Sequence, residues 1–330
     1  MVDGWPWASA FVFVAGLAVL LFSARYFVSA IASVASALGV SPLVIGMTVV
    51  AFGTSTPELV VNSVAAWRGE TALAFGNIIG SCIVNVGFVL GVTALIRPLD
   101  VETTLITREI PMLWVAASAL LILALDRPIN RAGADLLSRS DGLILLLLFA
   151  IFLYYTAIYS AACRAIEGVR GVEDKGEQFE NRPAGRQLVI AALGLVGVSV
   201  GADWTVEGAV DLARAFRMPE NVIGLTVVSI GTTLPELATC VIAARAGNSS
   251  IALGNVVGSN IFNLLAIGGL AAVLSPVAVP PGGQLDLAVM AVLSMLLLPL
   301  AIRSGRTITR GEGALLMSVY VGYLVYRIFA

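Results

Sequence analysis

Val44-Ile-Gly-Met-Thr-Val-Val-Ala-Phe-Gly-Thr-Ser-Thr-Pro-Glu58 returns 178 residues later as Val222-Ile-Gly-Leu-Thr-Val-Val-Ser-Ile-Gly-Thr-Thr-Leu-Pro-Glu236, with ten of fifteen positions identical. The same offset carries Gly76-Asn77 onto Gly254-Asn255, Gly80-Ser81 onto Gly258-Ser259, Asn85 onto Asn263 and Pro98 onto Pro276. A spacing held without insertion over so long a stretch marks two structural copies of one unit. Each copy sets a glutamate inside an apolar segment.

A carboxylate at bilayer depth costs roughly 2.5–3.5 kcal/mol on insertion scales, so it is kept there only with a partner or a cation. Pro57 and Pro235 immediately precede the two glutamates. A helix-interior proline removes one backbone hydrogen bond and clashes with the preceding turn, so a break is expected at each Gly-Thr-x-x-Pro. Carbonyls and hydroxyls released there are tolerated in a membrane only when buried in protein or lining a watered cavity. In that setting they are oxygen ligands for a hard cation. Matching broken segments in two halves point to a site at the interface of the repeats.

Composition agrees with a membrane setting. Of 330 residues, 58% are hydrophobic and 12% charged, with a mean hydropathy of +0.96, which defines a polytopic membrane protein. The net charge of −2 comes without any basic run, so nucleic acid is excluded as a partner. With no histidine, His-based metal sites, proton relays and Ser-His catalysis are all removed. The only lysine, Lys175, lies in a polar stretch between the halves, which leaves no Ser-Lys centre for an intramembrane hydrolase, and an enzyme is not expected. Cys82, Cys163 and Cys240 are too scattered for a zinc site and read as small apolar residues. Met1-Val-Asp-Gly-Trp-Pro-Trp7 lacks the basic region of a signal peptide and reads as an interfacial lead-in.

Taken in order, apolar spans are expected at 8–37, 42–66, 71–96, 109–125 and 141–162, then at 187–213, 220–245, 249–274, 284–302 and 311–329. Spans four and five carry no ionisable group in their interiors on this division, and Pro276 to Gly283 reads as loop. Arg25 and Asp203 occupy equivalent places in the first and sixth spans, which suggests a cross-repeat ion pair, the alternative for Asp203 being a place in an ion path. The expected fold is all-α and integral to the membrane, with ten transmembrane helices in two five-helix repeats, 1–163 and 187–330, joined by a linker over 164–186. An odd number of spans per copy inserts the second copy upside down. Loops after odd-numbered spans hold 11 arginine and lysine residues against 7 on the other side. The positive-inside rule then puts the linker in the cytoplasm and the N-terminus outside the plasma membrane.

The pairs Gly53-Thr-Ser-Thr-Pro-Glu58 with Gly76-Asn-Ile-Ile-Gly-Ser81-x-x-x-Asn85, and Gly231-Thr-Thr-Leu-Pro-Glu236 with Gly254-Asn-Val-Val-Gly-Ser259-x-x-x-Asn263, resemble the paired alpha-repeats of the sodium/calcium exchanger family. This is a branch of the calcium/cation antiporter superfamily, and the likeness is to its prokaryotic members over essentially the whole chain. The resemblance implies a central cluster of ion sites. Glu58 and Glu236 match glutamates shared by calcium and sodium, and Thr54 and Thr232 match positions that offer a backbone carbonyl to calcium. Ser55, Thr233, Ser81 and Ser259 match hydroxyls of the outer sodium sites, aided by the carbonyls of Ala51 and Ser229. Asn85 and Asn263 match the pair at the middle, where the family often has an acidic residue at one place; here both are amides. The implied activity is exchange of sodium for calcium by alternating access, with both ions as cargo, the lipid bilayer as surroundings, no cofactor and no obligatory protein partner. A proton/calcium antiporter on the same fold and a passive cation channel are the alternatives, separable by their counter-ion dependence.

Overall fold

The computed structural model describes residues 6–38, 40–127, 133–170, 183–215, 231 and 233–329. Its helices in order are α1 Pro6–Leu38, α2 Pro42–Thr54, α3 Thr56–Trp67, α4 Thr71–Ile96, α5 Leu105–Ala124, α6 Arg139–Arg170 and α7 Ala184–Ala215. They continue with α8 Leu234–Arg245, α9 Ser249–Leu274, α10 Gly283–Arg303 and α11 Arg310–Phe329. Seven are long and apolar enough to cross a membrane, and the bent pair α2–α3 makes an eighth. Together with α11 and α8, the latter the described part of the span bearing Glu236, they form the ten-span arrangement.

The inversion is visible where α1 and α7 pack. Gly16 meets the backbone of Thr205, Leu20 meets Gly201, and Phe27 meets Gly194, so one number falls as the other rises and the two helices run antiparallel. A Cβ at Gly201 would collide with the Leu20 backbone, whereas glycine lets the two chains touch. The Arg25–Asp203 ion pair is not formed, because Arg25 lies level with the stretch between Gly194 and Gly197, about two turns along from Asp203. Both residues are exposed instead.

α4 and α9 form the centre. Of the most apolar 18-residue stretch in each, 78% and 89% is buried, against 17% for α1. Each central helix packs on a late helix of the other repeat through facing glycines, Gly91 against Gly313 and Gly269 against Gly142. Short strands clasp the two faces of the bundle. β1 (Leu99–Asp100) pairs antiparallel with β4 (Thr307–Ile308), and β2 (Leu136–Leu137) with β3 (Val277–Ala278). Leu99 and Val277 stand at the repeat offset, so each copy gives one strand to each clasp.

Two expectations need correction. The Pro276 to Gly283 stretch contains β3, because its backbone finds partners in β2 across the chain. α5 begins at Leu105 with a wider π turn, which brings Arg108 and Glu109 into the span; Glu109 is 1% exposed, so this span does hold an ionisable group. Helix α6 continues to Arg170 and α7 starts at Ala184, so both ends of the 164–186 stretch are helical. Residues 171–182 of it lie outside the described residues, as do most of the N-terminal lead-in and much of the first half of the seventh span. Cys82 and Cys240 are free and buried, as expected.

One ion pair holds α10 to α11. Arg327 contacts both Asp286 oxygens, at 3.1 and 3.2 Å, and the Tyr323 hydroxyl donates to the same carboxylate at 2.9 Å. Removing one member of a buried pair strands the other; because the Arg327 side chain is 35% exposed, Arg327→Met should cost about 1–3 kcal/mol rather than the full buried figure. Thermal unfolding in detergent reads this as a lower midpoint, partly restored by adding Asp286→Leu.

Candidate ion-binding site

The proline break of the first repeat falls where the motif places it, and in the second repeat α8 starts at the matching position, the segment before residue 231 lying outside the described residues. α2 and α3 meet at 48° around Ser55, whose φ and ψ are −89° and 9°. Thr233, its equivalent, has −99° and 8°. These are bridge-region angles, found at many active-site residues. Pro57 has no N–H to offer the Gly53 carbonyl, which opens the turn. The central helices are distorted as well, with π turns over Asn85–Leu90 and Phe262–Ile267; such turns are rare and cluster at functional sites.

Four elements carry the described motif side chains, and hydrogen-bond contacts join Thr54, Ser55, Ser259 and Glu236 across the repeats through Asn255. The α2–α3 break brings Thr54, Ser55 and Glu58, and the start of α8 brings Thr233 and Glu236. α4 and α9 supply Ser81 with Asn85 and Ser259 with Asn263. None of these nine is more than 4% exposed. The repeats are stitched together here: the Ser55 hydroxyl lies 3.2 Å from Glu236 Oε1 and 3.1 Å from Ser259 Oγ. Close approach of α2 to α9 permits this, since Gly258 lies directly on the Met47 backbone, where a side chain would not fit. The Thr54 hydroxyl donates to the Val50 carbonyl at 3.1 Å and lies 3.3 Å from Asn255 Oδ1. The Ala51 carbonyl accepts the Ser55 N–H at 3.0 Å. Thr232 and Ser229 lie outside the described residues.

The electrostatic character of the cluster is set by what is missing. Glu58 Oε2, Glu236 Oε2, Asn85 Oδ1 and Asn263 Oδ1 are all buried without a hydrogen-bond partner. Among the described residues, neither glutamate has a basic partner. Buried acceptors are rarely left in this condition, because the desolvation cost of each is about 1–3 kcal/mol and more for a charged group. Four oxygens, two of them carboxylate, suit a hard cation.

Sequence reading passed over three members of the network. Asn62 Nδ2 donates to the Glu58 carbonyl at 2.7 Å, bracing the first turn after the break. Asn255 donates to Thr239 Oγ1 at 3.1 Å, while its Oδ1 lies 3.3 Å from the Thr54 hydroxyl and 3.5 Å from that of Ser259. Its match to Asn77 in the repeat was a signal for it. Asn260 touches Asn85, and no repeat signal exists, because its equivalent is Cys82.

Comparison with known proteins places this geometry. The family model described as "Sodium/calcium exchanger protein" matches residues 8–158 and 186–329. This chain belongs to the sodium/calcium exchanger family. It is 36% identical over 319 residues to the putative antiporter CaxA of Alkalimonas amylolytica, covering 96% of this chain and 97% of that one. It is 32% identical to the sodium/calcium exchanger MaX1 of Methanosarcina acetivorans, covering 94% and 95%. Among solved structures it is similar to the sodium-calcium exchanger NCX_Mj soaked with 2.5 mM Na+ and 10 mM Sr2+, with a TM-score of 0.80 and 31% identity over 97% of this chain and 99% of that chain. The chain is thus a multi-pass membrane protein of a transporter family, and its ten-helix inverted repeat is that of the exchanger fold.

Proposed function

We propose that this exchanger moves calcium in one direction and sodium in the other through the cluster around Glu58 and Glu236. The observation that carries the reading is the set of four buried, partnerless oxygens, from Glu58, Glu236, Asn85 and Asn263, drawn equally from both repeats. Hydroxyls of Ser55, Thr233, Ser81 and Ser259, and carbonyls of Thr54, Thr232, Ala51 and Ser229, complete the ligand set. Calcium is favoured over magnesium because a ring of carboxylates, amides and hydroxyls is oxygen-rich and adaptable, whereas magnesium demands a strict octahedron and keeps its waters.

Antiport follows from charge. Two carboxylates balance one calcium or a load of sodium ions, and overlapping ligands prevent both loads from being held together. An empty site leaves two bare carboxylates in a low-dielectric interior, which opposes the switch between inward and outward access; a filled site is closer to neutral. The α1–α7 pair contributes no ligand and meets itself through glycines, so it serves as the sliding element. We place the repeats at 1–163 and 187–330, the linker in the cytoplasm and the N-terminus outside the plasma membrane, on the arginine and lysine distribution.

The test is radioactive calcium uptake into proteoliposomes loaded with sodium, or with potassium at equal ionic strength, with and without an imposed pH gradient. Uptake that requires internal sodium is the expected result. Uptake driven by the proton gradient alone, or indifferent to the counter-ion, overturns it.

A further inference from the structure

The two central helices cross at a pair of residues that the repeat makes equivalent but that differ chemically. Cys82 in α4 corresponds to Asn260 in α9, and the two hold each other. Asn260 Nδ2 donates to the Cys82 carbonyl at 3.2 Å, and the Cys82 thiol lies 3.9 Å from the Asn260 carbonyl. Asn260 is 0% exposed and Cys82 1% exposed, so water does not compete. One further bond leaves this clasp: Asn260 Oδ1 accepts from Asn85 Nδ2 at 3.1 Å.

Donor and acceptor inventory orders this chain of amides in one direction. A backbone carbonyl only accepts, so Asn260 must turn its NH2 toward Cys82. Its oxygen is then the atom presented to Asn85, and Asn85 must answer with its own NH2. That leaves Asn85 Oδ1 on the opposite side, and it is one of the buried oxygens without a partner. Reversing Asn85 would set two oxygens against each other at Asn260 and strand an N–H. In an enclosed interior each such mismatch is costly, because a buried donor or acceptor gives up its hydration without gaining a partner.

We propose that Asn260 is a positioning residue: anchored on the Cys82 carbonyl, it makes Asn85 present oxygen, never nitrogen, to the cation. The inference rests on the reading of the cluster as the ion site. It explains why an asparagine serves at the centre of a cation site, where a freely turning amide would expose its NH2 for part of the time and repel the ion. A carboxylate needs no such control, because both of its ends are oxygen.

That last difference supplies the test. In proteoliposomes, Asn260→Leu should raise the KM for calcium about tenfold, the value of one hydrogen-bond-strength contact to a charged group, with maximal rate changed by less than about threefold. Placing Asn85→Asp in the Asn260→Leu protein should bring the calcium KM back to within about threefold of the Asn85→Asp single variant, because an aspartate offers oxygen either way round. A residue that only supports packing would give losses that add in both backgrounds. Thermal unfolding in detergent confirms that each variant is folded; Asn260→Ala carries the same expectation should the leucine variant not fold. Additive losses, or an unchanged calcium KM in Asn260→Leu, overturn the proposal while sodium-dependent uptake by the unaltered protein stands. Absence of that uptake in the unaltered protein removes the ion-site reading and this inference together.

Discussion

Glutamine at Glu58, or at Glu236, is expected to reduce sodium-driven calcium uptake by at least about 100-fold, equivalent to roughly 2.7 kcal/mol, while the protein remains folded. Glutamine keeps the volume and one oxygen of the side chain, so packing around the 3% and 1% exposed carboxyls is preserved. What disappears is half of the negative charge available to a divalent ion in a site that has no other acid among the described motif residues. Calcium would then carry an unbalanced charge into a low-dielectric interior, where charge is expensive. The two variants should differ in detail. Glu236 Oε1 also receives the Ser55 hydroxyl, so Glu236→Gln disturbs the seam between the repeats and should lower the unfolding midpoint more than Glu58→Gln. Uptake assays paired with thermal unfolding check both parts. Retention of more than a tenth of the uptake in either variant would contradict the shared-carboxylate scheme.

The second large effect concerns movement rather than binding. Gly201→Val is expected to lower turnover by more than about tenfold while calcium binding in detergent changes less than about threefold, since close backbone contact between helices depends on small residues. Gly201 sits on the Leu20 backbone of α1, and a Cβ there would force the helices apart or lock them together. The residue lies outside the ligand set, so affinity should be spared. Gly322→Ala in α11 is the comparison, because a Cβ at that position meets no neighbour within 4 Å; it should behave as the unaltered protein. Equal losses of binding and turnover in Gly201→Val would mean that the α1–α7 contact shapes the site instead of carrying the motion.

Much of the site could be read from the chain because its signals are local or repeated. Pro57 and Pro235 dictate where the helices break through one missing N–H each, and Ser55 and Thr233 adopt matching angles there. Glu58 and Glu236 stand out because a carboxylate in an apolar run is costly anywhere in the fold. Ser81 and Asn85, four residues apart, share a helix face in any context. The Arg25–Asp203 pair failed for the opposite reason. Where inverted repeats bring equivalent helices together antiparallel, equivalent positions meet only at the crossing point; Arg25 and Asp203 each lie about one turn beyond it in opposite directions, and both are exposed. Cys82 and Asn260 meet because they lie at the crossing of α4 and α9.

The two copies, the ten spans, the proline breaks and the two carboxylates buried in apolar segments can all be read along the chain, since periodicity, proline chemistry and the cost of buried charge act locally. Tertiary structure alone decided which oxygens are left without a partner, which way the Asn85 amide faces, how β1 and β3 find β4 and β2, and where α1 and α7 touch backbone to backbone. The Asn85–Asn260 and Ser55–Ser259 contacts join residues 175 and 204 apart in sequence, brought to 3.1 Å only when the repeats dock upside down against each other. Hydrogen-bond direction and glycine contact are properties of that docking, and no local pattern encodes them.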